Sequence, residues 1–309
     1  MITTITLNPA IDKTCIIPEL SPGRVNRLEQ VKNVPGGKGI NVAKVLLQYD
    51  YPVRTMGFLG GYTGEFIEDG IRKMGAECRF TKVDGDTRVN TNILAHDGSV
   101  TEVLEPGPVV SDEKLAAFLE TYEEVLKDSD MMILSGSVAK GIPEAIYGEL
   151  VLRAKRAGKK ALLDTSGVYL KHGMAEKPFM VKPNIYELEG YLGRSLRSET
   201  DIVNAVRELL ATGISHVLLS MGEKGLYYGC EAGIYFALPP RVKAVNTVGC
   251  GDSVVASFAM SMAEGKEQED LLCSAVAISA ANATTMENGV IPKQTAADLM
   301  QKITVRRCE

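Results

Sequence analysis

Along the chain, short uninterrupted apolar runs stopped by small or polar residues alternate with stretches whose apolar positions recur every three or four residues. "MMILSG" (131–136), "KALLDTS" (160–166), "FMVKPN" (179–184) and "HVLLSMG" (216–222) are of the first kind and read as strands buried in a parallel sheet. In "EKLAAFLETYEEVLK", Leu115, Phe118, Leu119, Tyr122 and Leu126 fall at helical spacing, which predicts an amphipathic helix lying against that sheet. Together they predict an α/β fold, a doubly wound, mainly parallel sheet flanked by helices. The last third, from Gly251 through "LLCSAVAISAANATT", is rich in Ala and Ser and predicts closely packed helices. Residues 13–34 and 77–105 break the rhythm with alternating polarity, as in "RVNRLEQVKNV" and "RVNTNILAHDGSVTEVLE". They predict a small β-sheet lid inserted into one domain spanning residues 1–309.

Composition narrows the function classes. Hydrophobic residues make up 45% and charged residues 24%, and the net charge of −5 gives nucleic acid no electrostatic reason to bind. No stretch approaches the roughly 20 apolar residues of a membrane span, and "MITTITLNPAIDK" lacks the regions of a signal peptide, so a cytoplasmic protein is expected. The six cysteines contain no CxxC pair and the three histidines are dispersed, which argues against a zinc site or a disulfide framework.

The loops after the predicted strands hold the unusual chemistry, where ligands bind in open α/β sheets. "PGGKGINVAKVLL" (35–47) sets Gly36, Gly37 and Gly39 around Lys38 and runs into a helix. Such a start offers free N–H groups to an anion or a sugar hydroxyl, and read alone it fits a tight turn equally well. It is not a Walker A loop, and no G-x-G-x-x-G follows the first strand. In "NTVGCGDS" (246–253), Gly249, Cys250 and Gly251 lead into an apolar helix with Asp252 in its first turn. Bare N–H groups there would make an anion hole for a phosphoryl group in transfer, with Asp252 placed to take a proton from an attacking hydroxyl. The alternative is a first-turn acid that only complements the helix dipole.

Taken in order, "TLNPAID" (6–12), "GGKGIN" (36–41), "SGS" (135–137), "KPN" with Glu187, "SMGEKG" (220–225) and "NTVGCGDS" resemble the ribokinase-like (PfkB) carbohydrate kinase family across essentially the whole chain. "TLNPAID", "GDTRVN" (85–90) and the Lys-Pro-Asn segment are similar to its hexose-phosphate branch, the 1-phosphofructokinases and tagatose-6-phosphate kinases. The resemblance implies ATP and Mg2+, a β-lid that mediates a homodimer, and phosphorylation of fructose 1-phosphate at O6, or alternatively of tagatose 6-phosphate at O1. An unphosphorylated sugar is the remaining alternative.

The resemblance makes Asp252 the general base and the N–H groups of Gly249, Cys250 and Gly251 the anion hole, with Cys250 in place of the usual alanine. It assigns the sugar to Asp12, Gly37, Asn41, Asn90 and Ser137, an Asx-turn being the other use for Asp12. Arg88, with its planar fork, and Lys38 would hold the sugar's phosphate, unless they are solvated surface charges. For the nucleotide it points to Lys182, Asn184, Ser220, Gly222, Gly225 and Asn282, with Glu187 reaching the metal through water. Asn184 and Glu187 are also spaced as a helix capping box.

Overall fold

Residues Ile2–Thr6 form a strand, β1, that is buried at all five positions and lies inside a ten-stranded sheet. The computed structural model describes residues 1–308. After β1 come β2 (Ala10–Ile17), β3 (Gln30–Gly36), α1 (Lys38–Gln48), β4 (Val53–Leu59), α2 (Gly61–Lys73) and β5 (Glu77–Lys82). The middle of the chain gives β6 (Arg88–Ala95), β7 (Val100–Leu104), α3 (Asp112–Leu126), β8 (Met131–Ser135), α4 (Ile146–Arg156), β9 (Lys160–Asp164) and α5 (Gly167–Ala175). Then follow β10 (Met180–Val181), α6 (Ile185–Leu192), α7 (Glu199–Ala211), β11 (His216–Ser220), β12 (Leu226–Cys230) and β13 (Gly233–Ala237). The chain closes with α8 (Cys250–Glu264), α9 (Gln268–Asn282), α10 (Lys293–Met300) and β14 (Val305–Arg307).

The large sheet runs β14-β13-β12-β11-β10-β9-β8-β1-β4-β5. From β11 to β5 all pairings are parallel, and β12, β13 and β14 extend the sheet antiparallel. From β1 the chain builds outward through β4 and β5, then crosses to β8 on the other side. Neighbouring loops therefore diverge at the carboxyl end of β1, opening a crevice there.

Helices cover both faces. Phe118, Tyr122, Tyr147, Leu150 and Val206 from α3, α4 and α7 pack against one face, and Val42, Val45, Phe258 and Leu272 from α1, α8 and α9 against the other. α9 is buried on most of its surface, which explains why its sequence is small and apolar without an amphipathic stripe. No helix among the described residues is long and apolar enough to cross a membrane.

A second sheet of four strands, β3-β2-β6-β7, stands apart from the first. Its membership corrects the boundaries expected for the lid. β2 begins at Ala10, residues 18–29 contain no strand, and 77–82 pair with β4 at the edge of the large sheet instead. In that last segment Cys78 and Phe80 pack toward the small core of Ile40, Leu59, Ile67 and Ile71, so the alternation marks a one-sided edge strand. The expected strand over 179–184 shortens to Met180–Val181, since Pro183 and the cap at Asn184 end it.

Candidate active site

Asp252 lies in the first turn of α8, 4% exposed, and its Oδ2 accepts a 2.9 Å hydrogen bond from Asn41 Nδ2. Burial, reinforced by the nearby charge of Asp164, pushes its pKa up to about 6, while Lys38, Asn41 and Lys182 oppose the rise. Gly249 precedes the helix at φ 83°, a left-handed conformation that a side chain would resist. Of the three N–H groups expected to form the anion hole, those of Gly249 and Gly251 meet no acceptor among the described residues, nor does that of Asp252, whereas that of Cys250 makes a long 3.3 Å bond to the Thr247 carbonyl. Cys250 thereby closes the turn that bends the chain into the helix. Burial pushes the Cys250 thiol up, away from the thiolate a redox role would need.

Beside that helix start lies a charge cluster. Asp164, at the end of β9 and fully buried, holds Lys38 Nζ and Lys182 Nζ each at 3.1 Å. Burial alone would raise its pKa, yet Lys182 and Lys38 hold its carboxyl below the usual range. A Cβ built on Gly251 would stand 3.2 Å from Lys182 Nζ, so this ammonium adjoins the bare N–H groups. Lys38, expected as a second cation for the sugar's phosphate, is drawn by this buried acid toward Asp164, while its Cβ lies 3.6 Å from the Cβ position of Gly136, the neighbour of Ser137.

Asp12 lies on β2, 6% exposed, and accepts from Asn288 Nδ2 at 2.9 Å and Asn90 Nδ2 at 3.5 Å. Its partners are side chains from other segments, which excludes the Asx-turn. A Cβ on Gly36 would collide with the Asp12 carboxyl, and Gly37, at φ 108°, caps α1. A cleft of about 640 Å³ opens between β2, β3 and the 285–290 loop, with Asp12 and Asn288 in its wall. Lys32 of β3 pairs with Glu287 of that loop.

Arg88 and Ser137 meet. The guanidinium donates from Nη2 to Ser137 Oγ at 3.2 Å, from Nε and Nη2 to the Asn8 carbonyl at 3.2 and 2.9 Å, and from Nη1 to the Glu105 carbonyl at 3.3 Å. It is a fixed fork tying three loops, with Nη1 keeping a second N–H. Asn8 Oδ1 and Asn90 Oδ1 are buried polar atoms with no partner among the described residues. Asn41, expected in the sugar's wall, spends its amide on Asp252 and on Lys44, whose Nζ donates to its Oδ1 at 3.4 Å.

On the third side, Asn184 and Glu187 form the capping box of α6, with reciprocal bonds of 2.9 and 2.8 Å. Ser220 bridges to Asn184, and the turn at Gly222–Lys224 with Gly225 at φ 115° follows directly. Asn282, expected beside a base, is tied into the protein on both faces of its amide. It is 1% exposed, donates to the Val248 carbonyl at 3.0 Å and accepts from Gly289 N–H at 2.9 Å. Its amide is consumed in pinning the loop before α8 to the loop after α9.

Three residues escaped the sequence reading. Asp164 carried a visible signal, an acid terminating the buried run "KALLD". Lys44 and Asn288 had none beyond a lysine on an apolar helix and an asparagine in an unpatterned loop.

The sequence matches the model of the pfkB family carbohydrate kinase over residues 5–294. It is 34% identical over 307 residues to the 1-phosphofructokinase of Bacillus subtilis (strain 168), covering 99% of this chain and 100% of that protein. A crystal structure of phosphofructokinase-2 from Escherichia coli with substrates and products superposes with a TM-score of 0.92 at 25% identity, over 97% of this chain and 98% of that one. A 1-phosphofructokinase candidate from Thermotoga maritima gives a TM-score of 0.91 at 27% identity over 100% of both chains.

Proposed function

The chain belongs to the pfkB family of carbohydrate kinases, and from that premise we propose that it phosphorylates fructose 1-phosphate at O6 with ATP, giving fructose 1,6-bisphosphate. The observation that carries this reading is the buried Asp252 carboxylate at the glycine-opened start of α8, next to the bare N–H groups and Lys182. Asp12, with Asn90, accepts hydrogen bonds from the sugar's hydroxyls and presents O6 to Asp252. Arg88 and Ser137 hold the phosphate on C1. As the O6–P bond forms, Asp252 takes the O6 proton, the bond from the γ-phosphorus to its bridging oxygen breaks, and that oxygen leaves on ADP with the electron pair. The N–H groups of Gly251 and Asp252, with Lys182 and Lys38, meet the charge on the equatorial oxygens.

ATP lies along Asn184, Ser220 and the glycine turn to Gly225. Magnesium fits the residues present: Asp164 Oδ2 is a buried oxygen without a partner among the described residues, and Glu187 lies close enough to act electrostatically on Lys38. Asp164, with Glu187 through water, would hold the ion, which supplies charge neutralisation of the β- and γ-phosphates when bound.

The lid pairs with the lid of a second copy. Its β7 is exposed throughout, with Val100 56%, Val103 54% and Leu104 60% exposed, as is Val31 of β3 at 50%. Comparing turnover of fructose 1-phosphate, tagatose 6-phosphate, fructose 6-phosphate and ribose with ATP tests the substrate. Preference for fructose 1-phosphate is expected, and preference for ribose would overturn the sugar-phosphate reading.

A further inference from the structure

Lys44 projects from α1 into the protein and is 4% exposed, yet among the described residues no carboxylate lies within ion-pair distance of its ammonium. Lysine is almost never buried unless paired, because its charge loses hydration without recompense. Its partners are two asparagines. Nζ donates to Asn41 Oδ1 at 3.4 Å and to the Asn288 backbone carbonyl at 3.4 Å. Beyond each lies an acid of the site: Asn41 Nδ2 donates to Asp252 at 2.9 Å, and Asn288 Nδ2 to Asp12 at 2.9 Å. All five residues are buried.

An ammonium can only donate. It therefore turns Asn41's oxygen toward itself and leaves Asn41's N–H face for Asp252, which rewards the ionised carboxylate. A neutral residue at 44 would let the amide flip, and a flipped amide would favour protonated Asp252. We propose that Lys44 is a positioning residue for phosphoryl transfer: through Asn41 it keeps Asp252 deprotonated and aimed, and through Asn288 it holds Asp12 in register with it. The inference rests on the reading of Asp252 as the base. The charged groups acting on Asp252 are Lys38 and Lys44 from α1, Asp164 from β9 and Lys182 after β10; those acting on Lys44 are Asp12, Glu287 and Asp252. Burial lowers Lys44 to about 8 against the pull of these three acids, which leaves it largely charged at neutral pH.

The test is the pH profile of kcat from pH 5.5 to 9.5 for the full-length protein and its Lys44→Met, Lys44→Arg, Asn41→Ser and Asp252→Asn variants, with ATP affinity and melting temperature alongside. Loss of the cation should raise the acid limb of Lys44→Met by about one to two pH units, lowering kcat at pH 7 about two- to tenfold, with the gap closing by pH 9. Lys44→Arg should return the limb toward its original place. Asn41→Ser cuts the link in the middle and should raise the limb too, so it carries the test if Lys44→Met does not fold. An unmoved limb with kcat lowered equally at every pH, or unchanged kcat, would overturn the proposal. If Asp252→Asn kept its turnover, the reading of the base would fall; if only that variant were inactive and the limbs stayed put, the Lys44 proposal alone would fall.

Discussion

Asn41 Nδ2 stands 2.9 Å from Asp252 Oδ2, across 211 residues of chain, and the bond joins the glycine-capped start of α1 to the glycine-capped start of α8. The two loops that read separately as anion-binding turns are thereby one assembly. The same bond separates a structural acid from a working one. In Asp252→Asn the new amide oxygen can still accept from Asn41, so packing and melting temperature should hold. Turnover should fall by roughly 10²–10⁴, the usual contribution of a positioned general base, with ATP affinity retained. Steady-state kinetics, ATP titration and thermal melts on one preparation check this.

The raised pKa of Asp252 fixes the sign of the acid limb. A base works only when ionised, so kcat/KM should rise with pH through about 6, where burial and Asp164 have placed that group, and level off above it. A profile flat down to pH 4.5 would show that no carboxylate with a raised pKa takes the proton.

Arg88→Leu should raise KM for the sugar phosphate while leaving ATP affinity unchanged. A charge-assisted contact to phosphate contributes about 1.5–3 kcal/mol, a 10- to 150-fold loss. Because the guanidinium also ties Asn8, Glu105 and Ser137 together, a lower melting temperature should accompany the loss. Undiminished use of fructose 1-phosphate by the variant would remove Arg88 from the phosphate site.

His216 predicts a pH dependence of stability unrelated to catalysis. Its ring packs 4.6 Å from Phe179 and bonds Tyr228 Oη at 2.9 Å, and burial, aided by Lys160, lowers its pKa from 6.5 to about 4. The unfolded chain binds the proton first, so this group's contribution is full above pH 6.5 and lost as pH falls toward 4. Melting temperatures at pH 7.5 and 5 should diverge more for the parent than for His216→Phe.

Exposed Val103 and Leu104 on β7 are expected at the dimer contact. Val103→Lys with Leu104→Lys should shift sedimentation at micromolar concentration from dimer to monomer without unfolding the chain. A parent that sediments as a monomer with this sheet folded would rule the contact out.

The parallel strands were legible because each is an apolar run too short for a helix, ended by a polar residue, Ser135, Asp164 or Ser220, of which Asp164 lies in the charge cluster beside Asp252. The glycine loops were legible because Gly37 and Gly249 need conformations that other residues resist. Alternation in 77–82 could not say which sheet the strand would join, since both sheets offer an edge. The Lys44 linkage was hidden for a different reason. Neither Lys44 nor Asn288 has a distinctive neighbourhood in sequence, and Asn288 acquires its meaning only where folding brings it to Asp12, 276 residues away.

The pairing of β2 with β6 sets a clock on synthesis. Asp12 finds its register partner Asn90 only 78 residues later, an interval of roughly 4–16 s at 5–20 residues per second. The hairpin with β3 can form meanwhile, but one side of β2 then offers unpaired backbone along Ile11, Cys15 and Ile17, all buried in the finished protein. During that interval β2 of a nascent chain is open to pairing with another chain, and a slow codon run between residues 36 and 88 would lengthen it.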